Sequence, residues 1–490
     1  LTARFSVAEI VSAAGALLRA AGARDVFGGV STDTRTIVPG SLFVALHGER
    51  FDGHDFLGEA ARKGAGGAVV RGGTERPPGV DEGFALFEVA DTLAALGALA
   101  RLHRERFSIP LGAVAGSNGK TTTKEMAASI LRTRGEALAT EGNLNNEVGV
   151  PLTLLRLEPN HRAAVVELGM SHTGELARLT AIARPSAGVV TVVAAEHLEF
   201  LEDLDGVAEA EGELYRGLSE GAVAVVNADD PRCVAQAERA RSGVRKISFG
   251  TSPMADIRLL RATPLGLDGQ EISLEGEEGG VRSTRLRSAG KPRRSRAECT
   301  IRISFVGEHN ALNAAAAAAL ARALSFSFEE ISRGLSAARP FAHRSRILRT
   351  ASGLILLDDC YNANPSSMAA ALTTLGTLAA GGRRVAVLGD MLELGEAEGR
   401  EHRALGERVA GAADLAVFFG PRSEGTLDAA QSAGLSSGAS AHFGDVGNLV
   451  AWLEGRLRPG DTVLVKGSRG MKLERVVEAL TSPPARDAAE

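Results

Sequence analysis

Seven consecutive residues, Gly116-Ser117-Asn118-Gly119-Lys120-Thr121-Thr122, carry the densest chemical signal in the chain. They follow the short apolar run Ala113–Ala115 and precede a segment with Met126, Ile130 and Leu131 on one helical side. A glycine turn between strand and helix lets backbone N–H groups wrap a phosphate at the helix N-terminus, where the dipole favours anions. Lys120 is then placed to neutralise the β- and γ-phosphates of a nucleotide such as ATP, and the Thr121 hydroxyl to ligate Mg²⁺. The loop is a shortened variant, because Val114 stands where the usual phosphate loop has its first glycine.

A magnesium nucleotide needs carboxylates at the same sheet edge, which in a parallel sheet is the carboxyl end of the strands. Glu167 closes the run Ala163–Leu168 and His197 lies just beyond Gly188–Val193, so both can reach a metal beside Thr121. Taken singly, Glu167 also reads as a helix-capping carboxylate and His197 as an ordinary loop histidine. Their shared edge with the phosphate loop favours the metal reading.

The elements that must position these residues follow from length and pattern. A chain of 490 residues predicts about three domains. Ser108–Pro110 marks one boundary and Pro340 another, giving expected domains over 1–108, 109–339 and 340–490. Residues 7–18 predict an amphipathic helix, with Val7, Ile10, Val11, Ala14, Leu17 and Leu18 at helical spacing and Glu9 and Arg19 arguing against a signal peptide. From Leu111 onward, short apolar strands alternate with helices, the grammar of a doubly wound parallel sheet. A second such unit has strands near Leu354–Leu357, Val385–Leu388, Leu415–Phe419 and Thr462–Val465. The expected class is α/β.

A net charge of −5 and a pI near 6.1 give no electrostatic case for a nucleic-acid binder. Three scattered cysteines suit a reducing cytosol rather than a disulfide scaffold. No apolar run has the length of a membrane span, so the expected protein is cytoplasmic. Between Val281 and Arg296, Arg282, Arg285, Arg287, Lys291, Arg293, Arg294 and Arg296 stand without a carboxylate. The segment reads as an insertion or hairpin tip, or as a local patch for an anionic partner.

Further motifs carry a family resemblance. The phosphate loop, Glu141-Gly142-Asn143-Leu144-Asn145-Asn146-Glu147-Val148-Gly149-Val150-Pro151, Glu167-Leu168-Gly169-Met170 and Gly307-Glu308-His309-Asn310-Ala311-Leu312-Asn313 resemble the bacterial Mur ligases of cell-wall synthesis. So do Asp358-Asp359-Cys360-Tyr361-Asn362-Ala363-Asn364-Pro365, Gly389-Asp390-Met391-Leu392-Glu393-Leu394-Gly395 and Val465-Lys466-Gly467-Ser468-Arg469. In order, these motifs span nearly the whole chain. The Asn-Leu-Asn-Asn and Tyr-Asn-Ala-Asn-Pro forms resemble the branch that adds D-alanyl-D-alanine to a UDP-N-acetylmuramoyl-tripeptide.

The resemblance implies a three-domain architecture, with a central P-loop parallel-sheet domain and a Rossmann-like C-terminal domain. It implies an ATP- and Mg²⁺-dependent ligase of peptidoglycan precursor synthesis that works through an acyl phosphate, expected as a monomer. The first domain would hold the UDP end, with Thr34 and Arg35 in a matching segment and Gly48-Glu49-Arg50-Phe51-Asp52 in another. Asn145 and Asn146 would lie near the muramoyl-diphosphate, and Asn310 and Asn313 on the adenine side. Arg344 and Asp359 would face the nucleotide, and Asn362, Asn364, Lys466 and Ser468 the incoming dipeptide. Lys120, Glu167 and His197 would be catalytic, the latter two with Thr121 at the metal.

One departure stands out. Where many Mur ligases carry a carbamylated lysine, this chain reads Ala210-Glu211-Gly212-Glu213. Glu211 is therefore expected to supply that carboxylate directly; the alternative is a solvated glutamate like its neighbours. Rival functions are a related ligase adding a diamino acid or polyglutamate, and a nucleotide-gated binding protein. The second has no use for Asp359, Lys466 and Ser468.

Overall fold

The computed structural model describes residues 3–48, 51–277, 296–378 and 381–482. Each of three successive regions is built on a mainly parallel sheet. In the first, the five strands run in the order Leu17–Ala20, Ala85–Val89, Gly67–Arg71, Leu42–Val44, Val30–Ser31, with only the first pair antiparallel. Arg4–Ser6 and Val26–Gly28 make a separate ribbon.

The expected helix over residues 7–18 is shorter, spanning Val7–Ala14. Gly15 ends it in the left-handed region at φ 61°, a conformation glycine adopts without Cβ strain. Leu17 and Leu18 then pair with Glu88 and Phe87 as an edge strand, which leaves Leu17 58% exposed. Over six residues the helical and strand periods overlap, so apolar spacing alone did not separate them.

The nine-stranded middle sheet positions the phosphate loop. Seven strands are parallel, in the order Ile257–Pro264, Arg245–Gly250, Val223–Asn227, Ala187–Val190, Leu111–Ala115, Ala163–Glu167, Ala137–Ala139. All residues of Leu111–Ala115 are buried, as expected for a strand covered on both faces. The helix Glu308–Ala323 covers one face with fully buried Ala314–Ala319. Its small side chains bring Leu320 so close that a Cβ on Gly112 would lie 3.1 Å from it.

From Leu111–Ala115 the chain first runs out to the edge strand Ala137–Ala139 and returns to Ala163–Glu167 between the two. It then crosses to Ala187–Val190 on the other side. The carboxyl end of Leu111–Ala115 is thus a topological switch point, where open α/β sheets bind ligands.

Two antiparallel strands, Gln270–Glu277 and Arg296–Ile303, extend the sheet. Neither was expected, because both intersperse polar and charged residues rather than forming apolar runs. They bracket the arginine-rich segment, most of which lies outside the described residues. Of its cations only Arg296 is described, and it is buried against Glu275 at 2.6 Å and the Ala255 carbonyl at 2.7 Å.

The third sheet runs Arg346–Arg349, Ile355–Asp358, Thr462–Lys466, Arg384–Gly389, Leu415–Phe419, Ser440–Phe443, with only its first pair antiparallel. Among the described residues no helix is long and apolar enough to cross a membrane.

Candidate active site

The phosphate loop is held open by two glycines that no other residue could replace without displacing neighbours. Gly116 has φ 118°, and a Cβ there would lie 2.1 Å from Thr191 Oγ1. Gly119 has φ 79° and caps the helix Lys120–Leu131, and its Cβ would lie 2.2 Å from Asn313 Oδ1. The neighbouring strand end clamps the loop. Ser117 N donates to Val192 O at 2.8 Å, Ala194 N to Ser117 Oγ at 2.9 Å, and Thr191 Oγ1 to Asn118 O at 2.5 Å. The expected strand Gly188–Val193 accordingly stops at Val190, because Thr191–Val193 serve the loop instead.

Lys120 folds back over the loop and donates to Gly116 O at 2.6 Å. Around it stand Glu167, Glu196 and Glu211, all buried. Burial alone would lower the Lys120 pKa, but the charges of Glu196, Glu211 and Glu167 more than offset this and raise it. Burial pushes the Glu211 carboxyl up to about 8, against the pull of Lys120. Glu196 is raised by the same cause.

Each of the three carboxylates has a buried oxygen with no hydrogen-bond partner: Glu167 Oε2, Glu196 Oε1 and Glu211 Oε2. Glu167 Oε1 accepts from Asn145 Nδ2 at 2.8 Å. Unpaired buried carboxylate oxygens are costly, and three of them beside one lysine make a donor set that fits a hard divalent cation.

The linker after the middle sheet brings in the second wall. Arg344 donates to Thr121 Oγ1 at 3.2 Å, its guanidinium 4.0 Å from the Tyr361 ring centroid. Lys466, nearly fully buried, bonds Asp359 Oδ2 at 2.6 Å and Asn362 O at 2.9 Å. Asn364 Nδ2 donates to Asn118 Oδ1 at 3.0 Å.

One cavity of about 690 Å³ joins the two walls. Ser117, Asn118, Gly119, Lys120, Thr121, Thr122, Asn145, Asn146, Glu167, His197, Asn310, Asn313, Arg344, Asp359, Asn362, Asn364 and Lys466 all line it. Five expected residues do not. Gly116 opens the loop, and its backbone N–H donates to the buried Glu211 carboxylate. Ser468 is a buried brace, accepting from Leu392 N at 2.9 Å and donating to Ala363 O at 3.3 Å. Thr34 and Arg35 stand in the short turn Thr34–Thr36 between two strands of the first region, held by Glu59 at 3.1 Å and Asp33 at 2.6 Å. Of the Gly48–Asp52 motif, Glu49 and Arg50 lie outside the described residues.

Two features escaped sequence reasoning. Glu196 lines the cavity 3.5 Å from Lys120 Nζ; its signal was an acidic residue ending the apolar run before His197. Glu393 reaches across from the third sheet to His197 Nδ1 at 2.5 Å. His197 itself sits at φ 52°. The solvated alternative for Glu211 is overturned, since it is 2% exposed while Glu209 pairs at the surface with Arg216 and Arg239.

Comparison with known proteins matches this arrangement. Family models described as Mur ligase family, catalytic domain; Mur ligase middle domain; and Mur ligase, glutamate ligase domain match residues 26–104, 114–321 and 343–469. The UDP-N-acetylmuramoyl-tripeptide–D-alanyl-D-alanine ligase of Escherichia coli is 38% identical, covering 92% of this chain and 93% of its own. The Bacillus subtilis enzyme of that name is 35% identical over 98% of both. MurF from Acinetobacter baumannii superposes with a TM-score of 0.85 at 32% identity, over 98% of this chain and 99% of that one. MurF ligase from Thermotoga maritima, solved with ADP, gives 0.77 at 28% identity over 92% and 97%. With such relatives aligned along nearly its whole length, the chain belongs to the Mur ligase family.

Proposed function

We propose that this ligase joins D-alanyl-D-alanine to UDP-N-acetylmuramoyl-tripeptide at the expense of ATP, in peptidoglycan precursor synthesis. The observation that carries the reading is a single cavity with the phosphate loop on one wall and Lys466, Asp359 and Arg344 on the other. A protein that only hydrolysed ATP would need the first wall alone. The E. coli and B. subtilis relatives named for this reaction support the substrate pair, and the ADP complex of the T. maritima relative supports the nucleotide.

The loop amides from Asn118 to Thr122 and Lys120 hold the ATP phosphates, with Arg344 closing over them. Glu167, Glu196, Glu211, His197 and Thr121 are the groups that would hold Mg²⁺, directly or through water. Bound there, it neutralises phosphate charge and polarises the γ-phosphoryl group. The tripeptide carboxylate attacks the γ-phosphorus and ADP leaves, giving an acyl phosphate. The D-alanyl amine attacks its carbonyl carbon and loses a proton, and the tetrahedral intermediate expels inorganic phosphate.

Lys120 and Lys466 flank the developing negative charge. Asp359 fixes Lys466 for this task, while Asn362 and Asn364 face the dipeptide and Asn145 and Asn146 the muramoyl end. Asn310 donates to Val306 O at 2.8 Å and accepts from Asn313 at 3.0 Å. It therefore positions Asn313 for the adenine side. Thr34 and Arg35 serve the UDP end from the first domain, so the three regions divide as substrate, nucleotide and dipeptide units over 1–108, 109–339 and 340–490. The enzyme acts as a cytoplasmic monomer, and Cys233, Cys299 and Cys360, all unpaired, suit that reducing compartment.

Phosphate release tests the reading. It should require both UDP-muramoyl-tripeptide and D-alanyl-D-alanine. Release driven by a single amino acid, and not by the dipeptide, would reject the assignment.

A further inference from the structure

Where the linker enters the third sheet, three metal-ligating side chains converge just outside the cavity. His343 Nδ1 lies 3.0 Å from Asp358 Oδ2 and 3.1 Å from Oδ1. Cys360 Sγ lies 3.2 Å from Asp358 Oδ1 and 3.5 Å from His343 Nδ1. Asp358 and Cys360 are each 1% exposed, whereas the His343 side chain is 32% exposed. The cluster therefore has a closed floor and one side open to solvent. None of its members lines the ligation cavity or enters the mechanism above.

Several observations separate this cluster from an incidental contact. His343 is held at φ 62°, a region that residues with a Cβ rarely adopt unless their surroundings impose it. The donor spacing is also that of a coordination polyhedron. A tetrahedral ion with a sulfur at about 2.3 Å, and nitrogen and oxygen at about 2.0 Å, sets its donors roughly 3.3–3.6 Å apart. The separations here, 3.0–3.5 Å, need to open by only a few tenths of an ångström.

The donor types select the ion. Mg²⁺ and Ca²⁺ take oxygen shells, whereas a thiolate, an imidazole and a carboxylate together suit Zn²⁺ or a similar d-block cation. Glu474 adds nearby negative charge that acts on Cys360, and its buried Oε2 has no hydrogen-bond partner.

We propose that His343, Asp358 and Cys360 form a binding site for a thiophilic divalent cation of the Zn²⁺ type, distinct from the magnesium–nucleotide centre. On binding, the Sγ–H bond breaks, its proton passes to solvent, and a sulfur–metal bond forms with no change of oxidation state. Water on the open side completes the shell. Arg344 and Asp359 are sequence neighbours of His343 and of both strand-end ligands. An occupied site therefore ties the linker to the strand end in the arrangement that sets Arg344 against Thr121.

Cobalt titration of the full chain in excess Mg²⁺ tests this, because Co²⁺ reports a thiolate ligand through a charge-transfer band. One equivalent should produce the band and Zn²⁺ should abolish it. Cys360→Ser should lose it, and Cys233→Ser and Cys299→Ser should retain it. His343→Asn, which tolerates a positive φ, should weaken Co²⁺ binding on the order of tenfold or more. Absence of a thiolate band, or a band that survives in Cys360→Ser, would overturn the proposal. Should Cys360→Ser fail to fold, unchanged Co²⁺ affinity in His343→Asn would overturn it equally.

Discussion

Glu211 shows how one position changes meaning with burial. Its neighbours in the sequence, Glu209 and Glu213, have work of their own. Glu209 pairs with two arginines, and Glu213 accepts from Gly174 N at 2.6 Å and Ala177 N at 3.0 Å, capping the helix Glu175–Ala183. Glu211 alone turns an unpartnered oxygen toward the Lys120 cluster. If it supplies the carboxylate that a carbamylated lysine provides elsewhere, Glu211→Ala should lower turnover and Mg²⁺ affinity on the order of 10–100-fold. Added bicarbonate should leave the parent enzyme unaffected. Unchanged rate and unchanged metal dependence in steady-state kinetics would exclude the role. The departure from the family pattern was legible in the sequence, because one residue type had replaced another. Which of three nearby glutamates faced Lys120 was not, since that depends on how the helix Leu204–Gly217 faces the sheet. Glu196 was missed for a related reason: it is close to Lys120 in space but remote from it in sequence.

Elements were legible wherever a local rule was unambiguous. The all-buried parallel strands announced themselves as apolar runs. The antiparallel extension did not, because a partly exposed strand such as Arg296–Ile303 resembles a surface loop in composition. The docking of the helix Phe328–Ala337 offers a test at this scale. A Cβ on Gly334 would lie 2.4 Å from the Ile130 backbone, so the two helices touch main chain to main chain. Beside that contact Arg134 holds Glu330 at 2.6 Å. The Arg134 hydrogen bond is the largest cause that lowers the Glu330 carboxyl from 4.5 to about 2. A lowered carboxyl contributes stability that is present above its unfolded value and lost as pH falls through its folded one. Between pH 4.5 and 2, Glu330→Gln should therefore lose less stability than the parent. The pair is partly exposed, so the difference should be on the order of 0.2–1 kcal/mol. Thermal melts across that window would check it, and parallel pH profiles would refute it.

At the scale of the molecule, the length arithmetic foresaw three regions, and the motif order suggested what each holds. What it could not foresee is how the middle and third regions meet, since contacts over such sequence separations leave no periodic trace. Among the polar contacts that cross that boundary are Asn118 with Asn364, Arg344 with Thr121, and His197 with Glu393. The first two involve residues that line the cavity. The third does something different. Glu393 fixes His197 Nδ1, leaving Nε2 on the side of Glu196, 3.9 Å from its carboxylate. A carboxylate that orients a histidine from behind sets the direction of the ring nitrogen offered to a metal. Here that carboxylate belongs to another region, in a loop where Glu393 takes φ 63°. His197 is therefore oriented from behind only while the two regions are in contact. Glu393→Ala should then widen the molecule in small-angle scattering without nucleotide and lower kcat on the order of tenfold. Glu393→Gln, which retains an oxygen acceptor, should recover most of both. Scattering and kinetics identical to the parent in Glu393→Ala would mean that the contact neither holds the regions together nor orients His197.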